Sequence, residues 1–130
     1  AVEAAIEEFG LTPYRSVRVG RLSQGNRQRL GLAIALHHHP QFVVLDEPTN
    51  ALDPGGMITL RQVLAQRAEA GAGILVSTHH LDEVSRIAHT ITMINRGRII
   101  GQLDPAASGL ERAFFDAIYD DDRRHGWISS

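Results

Sequence analysis

The 130-residue chain contains no cysteine and no lysine; all 13 of its Lys+Arg positions are arginine. Zero cysteines exclude a disulfide framework and every Cys-ligated zinc or iron–sulfur site. Zero lysines exclude a Schiff base, a lysine general base and any GxxxxGK[ST] phosphate loop within these residues. An excess of positive charge is absent too. The formal net charge is −2 and the isoelectric point about 6.4, so no nucleic-acid partner is expected from the overall balance. The longest stretch free of Asp, Glu and Arg, 30–45, carries three histidines, Pro40 and Gln41, and does not read as a membrane span. The opening AVEAAIEEFG is acidic, has no apolar run of a leader and does not start with methionine. It reads as a chain entered partway through.

What is present is the composition of a folded domain, 43% hydrophobic and 22% charged. Val2, Ala5, Ile6 and Phe9 share one face of a short helix stopped by Gly10. Residues 12–20 read as a connection. Ser23 is a good N-cap for a helix over 24–38, with Leu30, Ala33, Ile34 and Leu36 as its buried stripe and Pro40 as its stop. The unbroken run Phe42-Val43-Val44-Leu45 predicts a strand covered on both faces. Pro54-Gly55-Gly56 opens a helix to about Ala70, and Ile74-Leu75-Val76 predicts a second buried strand. A helix over 81–89, strands at 91–94 and 98–103 around Asn95-Arg96-Gly97, and a helix over about 108–119 complete the pattern. Alternating strands and helices predict an α/β fold with a mainly parallel core sheet flanked by helices.

The chemistry concentrates at strand ends. Asp46-Glu47 closes an apolar strand, where open α/β sheets place their ligands. One carboxylate there can hold Mg²⁺, which wants oxygen donors, and the other can take a proton from an attacking water. Ser77-Thr78-His79 ends the next strand and brings an imidazole to the same edge. Leu22-Ser23-Gln24-Gly25-Asn26 opens a helix whose N–H groups can meet an anion.

These pieces, in this order and spacing, resemble the nucleotide-binding domain of ATP-binding-cassette (ABC) transporter ATPase subunits over about residues 1–103. LSQGNRQRLGLAIAL resembles the signature segment, FVVLDEP the Walker B strand, NALDP the D-loop and LVSTHHLDEV the switch-histidine loop. The resemblance implies a partial P-loop NTPase fold: 1–39 as the end of the helical signature subdomain, 40–103 as the core α/β subdomain, and 104–130 as a C-terminal helix and polar tail. It implies ATP and Mg²⁺ as cofactors, with Asp46 serving the metal, Glu47 as catalytic base and His79, rather than His80, as the switch histidine. Asp53 would shape the contact between paired domains. Ser23 and Gly25, with Gln24 and Asn26 in the same turn, would meet the γ-phosphate of ATP bound to the partner domain.

The implied partners are a second nucleotide-binding domain and a transmembrane permease subunit, at the cytoplasmic face of the membrane. Gln24 stands where the signature usually has glycine and Asn26 where it often has glutamine. Walker A and Q-loop segments are not among these residues, so the 130-residue chain alone is expected to be inactive, and its exposed sheet to promote self-association. The alternative is a non-catalytic cassette acting as an interaction or regulatory module. DNA-repair and chromosome-organising ATPases share these motifs but carry coiled-coil insertions, and none is read here. LERAFFDAI (110–118) reads as a helix packed on the sheet; it also resembles the LExxF ending of ATPase subunits from drug- and antibiotic-exporting ABC systems. His37-His38-His39 and the arginines at 15, 18, 21, 27 and 29 read as surface, Arg29 as packed or paired inside the helical subdomain. Asp120-Asp121-Asp122 and Trp127 read as a solvated, disordered tail.

Overall fold

A computed structural model describes residues 1–129 and divides them into two compact units, 1–79 and 80–129. The first unit holds α1 (Val2–Glu8), α2 (Gln24–Leu36), β1 (Phe42–Asp46), α3 (Pro54–Glu69) and β2 (Gly73–Ser77). The second holds α4 (Leu81–Ser85), β3 (Ile91–Asn95), β4 (Arg98–Leu103) and α5 (Leu110–Arg124).

In the first unit β1 and β2 pair in parallel, Phe42 against Gly73 through Asp46 against Ser77. The crossover between them is α3, as a parallel pair requires. Helix α1 packs on α2 and α3 on β2, closing a core of Phe9, Leu36, Leu60, Val63 and Leu64, each no more than 3% exposed. A parallel P-loop-type βαβ arrangement is therefore present, as the sequence pattern predicts. Three local expectations fail; β2, expected to be buried, has no buried residue, and Leu75 is 66% exposed, because it lies on the same uncovered face as Val44. Val43 and Leu45 are buried but Phe42 and Val44 are 81% and 74% exposed, because a two-stranded sheet has helix cover on one face only. The buried stripe of α2 is Leu32, Ala33 and Leu36, whereas Ile34 faces outward.

In the second unit β3 and β4 form an antiparallel hairpin around the Arg96-Gly97 turn, against which α5 packs. The tail reading is overturned here. Helix α5 runs on to Arg124, and Asp121 is only 9% exposed. Asn95 Nδ2 donates to Asp121 Oδ2 and Asp122 Oδ1, both at 2.8 Å, and Arg98 Nη2 donates to both Asp121 oxygens at 2.8 and 2.9 Å. Trp127 stacks on His125 at 4.8 Å between centroids, with the Arg96 and Arg98 guanidinium carbons 4.7 and 5.1 Å from its ring centre. Acidic residues that look solvated in sequence are thus partners for arginines 23 and 26 positions away.

Burial pushes the Asp121 carboxyl up, but the Asn95 and Arg98 hydrogen bonds and the Arg98 charge outweigh it and hold it below the usual carboxylate value. A carboxyl depressed in the folded state adds stability above its unfolded pKa and loses it as pH falls through the folded one. Acidification below about pH 4 is therefore expected to release α5 from the hairpin. Trp127, the only tryptophan, reports this by fluorescence. Arg98→Met should move the transition upward in pH; an unmoved transition would rule out the Arg98–Asp121 pair as its cause.

Candidate functional site

The apolar side chains of β1 anchor the strand and carry the chain to Asp46 at its exposed carboxyl end. The ladder continues one residue further, since Glu47 N–H donates to Ser77 O at 2.7 Å. Glu47 then turns with φ +47°, a conformation that non-glycine residues seldom adopt and that marks a locally constrained position. The turn swings the Glu47 carboxylate to the end of β2. There Thr78 Oγ1 donates to its Oε2 at 3.2 Å, and His79 Nδ1 lies 2.7 Å from its Oε1. Glu47 is half-buried and His79 exposed. The short His79–Glu47 contact orients the imidazole ring at the carboxyl end of β2.

The Asp46 side chain makes no hydrogen bond or ion pair among the described residues. An unengaged carboxylate at a strand end, beside a second acid that is engaged, matches the oxygen-donor chemistry of Mg²⁺. Asp46 could therefore supply an oxygen ligand to such an ion.

Ser23 is the N-cap of α2 and accepts from Asn26 N–H at 3.2 Å, which leaves its hydroxyl proton available to a ligand oxygen. Gln24 is the first helical residue and is exposed. Gly25 lies against the loop that follows β1: a Cβ there would sit 2.8 Å from Ala51 O. Asp53 caps α3, its Oδ1 accepting from Gly56 N–H at 2.8 Å and from Arg29 Nη2 at 2.6 Å. The Arg29 hydrogen bond is the main cause that holds the Asp53 carboxyl below the ordinary range, with the Gly56 hydrogen bond second.

The structure thus brings Asp46, Glu47 and His79 to one sheet edge, and ties the turn carrying Ser23, Gly25 and Asn26 to the loop ending in Asp53. Sequence reasoning missed Thr78 as a partner of Glu47 and Asp53 as the partner of Arg29. The STH tripeptide carried a signal for the first, a hydroxyl next to the histidine at the same strand end. No local pattern carries the second, a contact 24 residues apart.

The model for ABC transporters matches residues 1–50. The chain is 39% identical over 120 residues to the lantibiotic transport ATP-binding protein SrtF of Streptococcus pyogenes, covering 92% of this chain and 52% of that protein. It is 36% identical over 104 residues to the bacitracin transport ATP-binding protein BcrA of Bacillus licheniformis, covering 79% and 34%. Among solved structures, the ATP-binding subunit of an ABC transporter superposes with a TM-score of 0.75 at 25% identity, covering 92% of this chain and 52% of that one. CbiO1 from Clostridium perfringens, part of the CbiONQ transporter complex, follows at a TM-score of 0.66 and 28% identity, covering 95% and 48%. The chain spans about a third to a half of the length of these relatives. With the ordered strand-end and helix-cap geometry, this similarity establishes that the chain belongs to the ABC transporter ATP-binding subunit family.

Proposed function

We propose that this chain supplies the signature, Walker B, D-loop and switch-histidine elements of an ATP-hydrolysing subunit that drives transport across a membrane. The supporting observation is the Glu47 carboxylate, turned out of β1 by a positive φ and held between Thr78 and His79 beside an unengaged Asp46.

Asp46 would hold Mg²⁺, which would neutralise phosphate charge. Glu47 accepts the proton of the attacking water, its carboxylate oriented by the Thr78 and His79 hydrogen bonds. His79 meets a phosphate oxygen or the water. Ser23, its hydroxyl proton unused by the cap, and the helix start at Gln24, Gly25 and Asn26 face ATP held by a second nucleotide-binding domain. Asp53 contributes to the contact with that domain. A permease subunit is the remaining partner, with this subunit at the cytoplasmic face. Among the described residues no helix is long and apolar enough to cross a membrane.

The 130 residues contain no lysine to grip the β- and γ-phosphates. The isolated chain is therefore expected to show no Mg²⁺-dependent ATPase, and a complete cassette containing it to show clear turnover. Phosphate-release assays on both proteins test this. Turnover by the isolated chain that Glu47→Gln abolishes would show that the phosphate grip lies within these residues. A complete cassette that binds a partner but never hydrolyses ATP would refute the catalytic reading.

A further inference from the structure

One face of α2 is laid along the loop that follows β1. Gly25, Gln28 and Arg29 share that face by their i, i+3 and i+4 spacing. Each makes a different tie. The glycine lets the helix start approach Ala51 O, where a Cβ would sit at only 2.8 Å. Gln28 Nε2 donates to Pro48 O at 3.0 Å, and Arg29 Nη2 donates to Asp53 Oδ1 at 2.6 Å.

The Arg29 guanidinium occupies a slot that glycines keep open. A Cβ on Gly10 would lie 3.0 Å from its Nη1, and one on Gly56 would lie 3.3 Å from its Nε. Gly10 also needs its φ of +66° to turn the chain after α1. Arg29 is only 19% exposed, whereas its partner Asp53 is 64% exposed. A planar fork fits such a slot and presents one nitrogen to the carboxylate; a lysine would bring a single point charge on a flexible stem.

Capping of α3 does not require this arrangement, because Asp53 caps it through Gly56 N–H alone. The arginine adds a link between two segments that the helix cap does not join. One is the turn carrying Ser23 and Gly25. The other is the loop running from Pro48 to Asp53, which begins one residue after Glu47.

We propose that Arg29 is a positioning residue that fastens the N-terminal turn of α2 to the Pro48–Asp53 loop, so that the two move as one rigid element. This rests on the function proposed above, in which both segments face a second nucleotide-binding domain. The consequence is regulatory. A partner nucleotide that engages Ser23 shifts the loop leading to Glu47, and a displaced Asp53 disengages the α2 turn.

Hydrogen exchange followed by mass spectrometry on the full chain at low micromolar concentration tests the link. Arg29→Met is expected to speed exchange by about tenfold in two segments together, the start of α2 and the 48–56 loop, the scale of one lost charge-assisted hydrogen bond. Asp53→Asn keeps an oxygen for the α3 cap but loses the ion pair, and should reproduce that paired change. The double variant should add nothing further. Arg29→Lys should resemble Arg29→Met. Faster exchange confined to the start of α3, faster exchange throughout residues 1–79, no change, or full restoration by lysine would each overturn the proposal.

In a complete cassette, Arg29→Met should lower kcat for ATP by about tenfold with KM unchanged, since the lost interaction is not a ground-state contact with bound ATP. A KM increase with kcat unchanged would also overturn it. A wild-type cassette without ATPase activity would refute the proposed function instead and leave the exchange result to decide the mechanical link.

Discussion

Glu47→Gln in a complete cassette is expected to lower the steady-state rate of ATP hydrolysis by at least about 100-fold, the lower range for losing a positioned general base. The amide matches the carboxylate in shape and can still accept the Thr78 hydroxyl hydrogen bond. The positive φ at this position is no harder for glutamine than for glutamate, so the backbone turn that aims the side chain survives. What disappears is the capacity to take a proton. Nucleotide affinity should change little, because the amide keeps the carboxylate's shape and only the capacity to take a proton is lost. The measurement is single-turnover hydrolysis alongside equilibrium binding of ATP. A variant that keeps more than a third of the wild-type rate would remove Glu47 from the base role and turn attention to His79.

Two phenylalanines are expected to respond to substitution in opposite ways. Phe9 is 1% exposed in the core of the first unit, and Phe9→Ala should cost about 3–5 kcal/mol through lost burial and the cavity left behind. Against a typical net stability of about 5–15 kcal/mol, that is enough to unfold much of the unit at room temperature. Urea melts followed by circular dichroism would show it, and a midpoint unchanged within error would contradict the assigned core. Phe42 is 81% exposed and stands on the same open face of the sheet as Val44 and Leu75, at 74% and 66%. Contiguous exposed apolar surface on a short parallel sheet with open edges favours association between copies. Phe42→Ser should therefore leave the urea midpoint nearly unmoved and shift the chain toward monomer in sedimentation velocity. Unchanged association would show that the adhesive surface lies elsewhere.

The strand and helix succession was legible because apolar runs, caps and glycine stops are local signals. Ser23 does cap α2, Asp46 does end β1, and His79 does reach the same edge. Legibility failed where burial depends on what lies across the sheet. The run from Phe42 to Leu45 is uniformly apolar, so its pattern carries no information about which face a helix covers. It failed again at Asp121 and Trp127, whose partners Arg96 and Arg98 arrive from the hairpin. A run of three aspartates reads as solvated until the arginines that neutralise it are brought alongside.

Composition and motif order alone were sufficient to identify an ABC cassette segment and to place its acids and histidine on strand ends. They also excluded a phosphate-gripping lysine within these 130 residues. Those conclusions follow from residue type and short spacing, which no folding step can alter. Folding settled the partners: Thr78 for Glu47, Arg29 for Asp53, Ala51 for Gly25 and Arg98 for Asp121. All of these contacts join residues more than 20 positions apart, and contacts at that separation depend on packing geometry. The motifs thus name the chemistry, while long-range contacts set which atoms face one another.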